Sequence, residues 1–160
     1  MTGIVVVSGN PRAGSRTSTL AVAVGEALAA RHGSPAPTVI EVGELGAGLL
    51  TGGDPATTAA VEALTGADLL VVATPTYKGS YTGVLKVLLD QLPNQALAGK
   101  FAVPVVTAGI APQAVAAEAV LRQLLVELGA IVARPGLPVV EADLPESVPI
   151  AQKYAAALDW

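Results

Sequence analysis

The sequence predicts an α/β fold, a three-layer domain whose five-stranded parallel sheet runs in the order 2-1-3-4-5 with helices on both faces. Three observations carry this expectation. The strand candidates are short β-branched runs without apolar/polar alternation, as expected of strands buried on both faces. Each is followed by a segment with helical periodicity, so consecutive strands need crossovers and lie parallel. Loops rich in Gly, Ser, Thr and Pro follow the first, third and fourth runs, where an open sheet keeps its ligand site.

Taken in order, Ile4–Ser8 is the first strand and Gly9–Arg16 the loop after it. Thr17 to Arg31 reads as a helix with Leu20, Val24, Ala27 and Leu28 on one face. Gly33 ends it, and Ser34–Pro37 is a turn before the second strand, Thr38–Val42. Gly43–Gly53 reads as loop, and Pro55 opens a helix reaching about Leu64. Asp68–Ala73 is the third strand, stopped by Pro75. After a polar loop to Ser80 comes a helix with Leu85, Leu88, Leu89 and Leu92 at i, i+3, i+4 and i+7. Lys100–Val106 is strand four, Gln113–Leu128 a long helix, Ile131 to Val140 a broken strand five, and Pro149–Trp160 a closing helix. One domain over residues 1–160, with this many strands, suits the flavodoxin-like order better than a two-half dinucleotide fold.

The chain is 52% hydrophobic and only 14% charged, so it carries more apolar surface than one small core absorbs. The segments around Val84–Leu89 and Val115–Leu128 are apolar nearly all round, which predicts a second buried face that meets another subunit, most simply through a two-fold axis. No apolar run approaches the roughly 18 residues that span a bilayer. Met1 leads almost directly into Ile4–Val7 without a basic region or cleavage site, so no signal peptide is expected. The absence of cysteine excludes disulfides and thiolate chemistry and fits a cytoplasmic protein. A net charge of −4 gives no electrostatic reason to bind nucleic acid or an anionic membrane.

The first loop, Ser8-Gly9-Asn10-Pro11-Arg12-Ala13-Gly14-Ser15-Arg16-Thr17, leaves a buried strand and meets a helix N-terminus. Free amides and the helix dipole favour an anion there. Ser8, Ser15 and Thr17 add hydroxyls, and Arg12 and Arg16 add charge, a donor set suited to a phosphate monoester. The plainer reading is a connector with Ser15 or Thr17 as N-cap. A P-loop is not matched, because Ser15 stands where its lysine belongs, and no G-x-G-x-x-G occurs. The second loop, Thr74–Gly83, holds Tyr77, Lys78 and Tyr81 in a chain with three tyrosines, one tryptophan and one phenylalanine. Two aromatics at the switch point suit a flat ligand or a subunit interface, and equally a cap on the sheet edge.

Gly9-Asn10-Pro11-Arg12-x-x-Ser15-Arg16-Thr17 resembles the phosphate loop of the NADPH-dependent FMN reductase family. The stretch from Ala73 to Asp90 resembles that family's flavin-edge loop and following helix, closest to the alkanesulfonate-type flavin reductases. The resemblance implies that Ser8, Arg12, Ser15, Arg16 and Thr17 hold the FMN phosphate. It implies that Pro75, Thr76, Tyr77 and Lys78 line the isoalloxazine, and that Thr107, Ala108 and Gly109 form the loop below the ring. Tyr81 falls where the subgroup inserts an aromatic residue that widens the helix start into a π-turn at the subunit interface. The chain departs from the pattern at Asn10, where serine is usual, at Ile110, where a second glycine is common, and in ending at Trp160.

The expected activity is reduction of FMN by NADPH or NADH, with reduced flavin passing to a monooxygenase partner. Hydride transfer to flavin needs no protein acid or base, and the sequence offers no catalytic dyad. His32, beside Gly33, reads as a surface cation at a helix C-terminus, and Glu41 and Glu44 lack metal-site spacing. The competing readings are an FMN-bound quinone, azo or metal-oxyanion reductase, and a flavodoxin-like electron carrier without turnover.

Overall fold

Buried β-branched runs separated by helices assemble, in the computed structural model, into the sheet that their pattern predicts. The structure describes residues 3–160; Met1 and Thr2, on which the reading of the leader segment rests, lie outside it. β1 (Ile4–Ser8), β2 (Thr38–Glu41), β3 (Leu69–Pro75), β4 (Phe101–Ala108) and β5 (Ile131–Val132) run in the order β2-β1-β3-β4-β5. All pairings are parallel. The broken fifth strand is two pieces, β5 and β6 (Leu137–Val140), which pair side by side in sequence with the two ends of β4.

Alternate strand residues feed opposite cores, so the central strands are covered on both faces, while Val39 and Ile131 on the edge strands stay exposed. Val6, Val71 and Val103 join the helices α1 (Arg16–His32) and α6 (Ser147–Ala157) on one face. Val7, Val72 and Val106 join α3 (Pro55–Gly66), α4 (Gly83–Leu89) and α5 (Ala111–Glu127) on the other. Leu20, Val24 and Leu28 of α1 are wholly buried. Each such side chain contributes about 1.5–3 kcal/mol, more than helix propensity differences of about 0.7 kcal/mol can offset. Tertiary burial, not propensity, therefore places this helix.

Several boundaries differ from the sequence reading. Val42 leaves β2 and opens a short helix, α2 (Val42–Leu45), followed by a 3₁₀ segment over Gly46–Leu50, where a plain loop was expected. β3 extends to Pro75, whose Cα lies opposite Thr107. α4 ends at Leu89, so Leu92 reaches the core from the following turn rather than from the helix. α5 begins at Ala111, because Pro112 is compatible with a first helical turn. The loop expected over Thr107–Gln113 thus shrinks to Gly109 and Ile110, with Thr107 and Ala108 inside β4. The closing helix starts at Ser147, after a 3₁₀ segment over Glu141–Glu146.

Candidate functional site

The strand order reverses between β1 and β3; Ser8 ends β1 opposite Ala73, and β3 runs two residues further to Pro75. The chain after β1 cannot pair further and turns into the loop that begins α1. Asn10 Oδ1 accepts from the Arg12 amide at 2.9 Å, which sets the first bend of the loop. Gly43 lies directly beneath this loop, where a side-chain carbon would collide with the Pro11 carbonyl group. On its outer side the Glu41 carboxylate accepts from the Gly14 amide at 2.5 Å, tying the loop to the end of β2. Ser15 is the N-cap of α1: its side chain accepts from the Ser18 amide at 3.1 Å. The first-turn amides of Arg16 and Thr17 are left without intrahelical partners, as at any helix start.

A cleft of about 160 Å³ opens beside this helix start. Arg12, Ser15, Arg16 and Thr17 line one side, Pro75, Tyr77 and Thr107 another. Sequence reasoning had named all seven. Glu141 and Leu144, which the sequence does not mark, and Asn10, which it marks only as a departure from the family pattern, complete the wall. Glu141 faces Arg16, with 3.7 Å between its Oε2 and the guanidinium Nη2.

Hydroxyl bonds join the loops around the cleft. Thr17 Oγ1 and Thr107 Oγ1 are 2.9 Å apart and buried, and Thr76 Oγ1 donates to the Thr107 carbonyl at 2.9 Å. Thr82 donates to the Gly9 carbonyl at 2.5 Å and, as N-cap of α4, accepts from the Leu85 amide. Ser8 is buried at the floor, its hydroxyl 2.6 Å from that of Ser18, and does not line the cleft. Thr76, Lys78, Ala108 and Gly109 likewise lie outside the lining, Ala108 buried and Gly109 exposed.

Tyr77 and Ser80 close a tight antiparallel hairpin, with amide–carbonyl bonds of 2.9 and 3.2 Å in the two directions. Its two central residues, Lys78 and Gly79, have φ of 53° and 80°, the left-handed pair that a two-residue hairpin turn requires. The turn holds Tyr77 nearly half exposed at the mouth of the cleft. Tyr81 precedes the N-cap Thr82 and packs partly buried on the core of the α4 face. The π-turn expected there is absent: α4 is an ordinary helical turn starting at Gly83, capped before any insertion could widen it.

Other sequence candidates are structural. His32 is half-buried, and its Nε2 has no partner. Asp68 accepts from the Gly3 amide at 2.8 Å, and Asp90 pairs with Lys86 at 2.6 Å. That bond raises the Lys86 pKa above its usual value. A larger groove of about 510 Å³ runs along the packed helices α1 and α6, but its alanines offer no side-chain donors and its Gln152 only a neutral amide. Its one guanidinium, that of Arg31, is committed to the carbonyls of Ala155 and Leu158. The small cleft is therefore the better anion site.

The sequence pattern of the NADPH-dependent FMN reductase family matches residues 2–143. The chain belongs to that family. It is 36% identical over 148 residues to an FMN reductase (NADPH) of Pseudomonas aeruginosa, covering 88% of this chain and 77% of that one. It is 45% identical over 76 residues to the FMN reductase (NADPH) of Escherichia coli, 48% of this chain. That match spans 40% of the Escherichia coli enzyme's length, less than two thirds of it. Among solved structures, an NADH:FMN oxidoreductase in its apo form superposes with TM-score 0.80 at 32% identity, covering 99% of this chain and 91% of that one. An archaeal flavodoxin, at TM-score 0.67 and 17% identity over 96% of each chain, shares the fold.

Proposed function

We propose that the chain is an NAD(P)H-dependent FMN reductase that supplies reduced flavin to a separate monooxygenase. The observation that carries this reading is the meeting of Arg12, Arg16 and the α1 N-terminus with the Tyr77 hairpin at the strand-order reversal. The donor set fits a phosphate monoester: two guanidinium groups, the Ser15 and Thr17 hydroxyls, and helix-start amides. Relatives named as NADPH- or NADH-dependent FMN reductases support the same assignment.

In this reading Arg12, Ser15, Arg16 and Thr17 hold the phosphate, with Ser8 fixing α1 from below through Ser18. Pro75, Thr76, Tyr77 and Lys78 line the ring, Thr107, Ala108 and Gly109 support its inner edge, and Tyr81 props the hairpin against α4. Bound there, FMN supplies a hydride acceptor at N5 that needs no protein acid or base. The protein orients the ring, and the Lys78 ammonium group offsets negative charge at its edge. Val115 and Val126 on α5, each more than half exposed, support a homodimer or homotetramer. No helix among the described residues is long and apolar enough to cross a membrane.

The test is nicotinamide consumption by the purified protein, followed by absorbance with and without added FMN. Consumption that requires FMN and saturates in it is expected, and Arg16→Gln should raise the FMN KM with less effect on kcat. No consumption with either NADPH or NADH would refute the reductase reading.

A further inference from the structure

Glu141 is the one acidic side chain lining a cleft otherwise furnished for an anion. It is the first residue of the 3₁₀ segment after β6, whose Val140 lies opposite Ala108 of β4. Its backbone is thus fixed by the sheet beside the α1 start. Its carboxylate faces the Arg16 guanidinium at 3.7 Å, and both side chains stay open to solvent, at 53% and 68% exposure. Two guanidinium groups and one carboxylate therefore share the cleft. A phosphate monoester brings about two negative charges at neutral pH, so it meets Glu141 as a like charge and as a rival for Arg16.

We infer that Glu141 is an affinity-setting residue: it occupies Arg16 in the free protein and opposes the flavin phosphate, keeping FMN exchangeable. This rests on the reductase reading above, in which FMN must enter oxidised and leave reduced. The effect is specific to the phosphate, because riboflavin carries no group that competes for Arg16. It is also moderate. An exposed ion pair is weak and screened by salt, so removing the carboxylate should change FMN affinity roughly two- to fivefold, not by orders of magnitude.

The experiment is a flavin titration, followed by quenching of flavin fluorescence, with FMN and with riboflavin. Wild type is compared with Glu141→Gln and with the charge-reversed Glu141→Lys, in low and in high salt. Glu141→Gln should tighten FMN about two- to fivefold at low salt and leave riboflavin unchanged, with Glu141→Lys extending the trend and high salt shrinking it. In an Arg16→Gln background, Glu141→Gln should have a smaller effect, because the contested partner is gone. Unchanged or weakened FMN binding in both variants, or equal tightening of riboflavin, would overturn the inference. A wild type that binds riboflavin as well as FMN would instead overturn the phosphate site itself, so the two failures are distinguishable.

Discussion

Replacing Thr17 by valine removes the hydroxyl that bridges the first turn of α1 to the end of β4. Both threonines are almost fully buried, at 4% and 2% exposure, and their oxygens are 2.9 Å apart. Valine keeps the shape, so the loss is confined to the hydrogen bond and to the stranded hydroxyl of Thr107. A net bond is about 1 kcal/mol and an unsatisfied buried hydroxyl costs about 1–3 kcal/mol, giving roughly 2 kcal/mol in all. For a domain of this size that lowers Tm by about 4–8 °C. Thr107→Val should cost a similar amount, since the Thr76 bond goes to the Thr107 backbone carbonyl and survives. The double variant strands nothing, so it should be no worse than either single, a coupling of about 2 kcal/mol. Urea unfolding followed by circular dichroism measures all three. Single variants within about 0.5 kcal/mol of wild type, or a double variant equal to the sum, would refute the argument.

Four further outcomes are expected. Gly43→Ala places a carbon against the Pro11 carbonyl, so it should displace the loop, raise the FMN KM and lower Tm, read by kinetics and thermal melting. Gly79→Ala meets no atom but forces alanine to φ near 80°, so it should cost about 1 kcal/mol in urea unfolding through backbone strain alone. Burial pushes the Tyr154 pKa up from 10.0 to about 12. The unfolded chain loses that proton first, so this contribution to stability is full below pH 10 and falls as pH rises towards 12; Tyr154→Phe should flatten that fall in unfolding measured at pH 9–11. Val115→Lys with Val126→Lys on the exposed face of α5 should shift sedimentation towards the monomer without unfolding the chain.

The parts of the fold legible in the sequence were those dictated by local pattern. Val5–Val7 and Leu69–Ala73 read as strands because burial on both faces removes alternation, and the structure buries every one of those residues. The Gly43–Gly53 stretch gave no periodicity, so α2 and the 3₁₀ turn were invisible: their one buried anchor pair, Val42 and Leu49, is too sparse to show a period. Arg12, Ser15, Arg16 and Thr17, which line the cleft, were legible as a cluster because they lie in one contiguous loop. Glu141 and Leu144 were not, because they reach the cleft only when β6 pairs with β4, and nothing local in their sequence marks that approach. The insertion expected at Tyr81 failed for a related reason. An aromatic residue at that position is compatible with either an insertion or a place before the cap, and the Thr82 side chain, bonded to both Gly9 and Leu85, decides for the second.

The threonines around the cleft explain how so open a site can still be ordered. Where strands end at a switch point, backbone groups lose their ladder partners and the loops beyond them are free to fray. Here Thr76 satisfies the Thr107 carbonyl, Thr82 satisfies that of Gly9, and Thr74 accepts from the Thr82 amide at 3.1 Å. The loops after β1 and β3 are thereby fastened to each other and to the end of β4 before any ligand arrives, so little binding energy is consumed in ordering them. A rigid cradle alone would favour tight, slow-leaving flavin. A rigid cradle that also presents the Glu141 carboxylate to the same guanidinium would bind FMN in a fixed orientation and release it readily, and a reductase that delivers its flavin to another protein needs both.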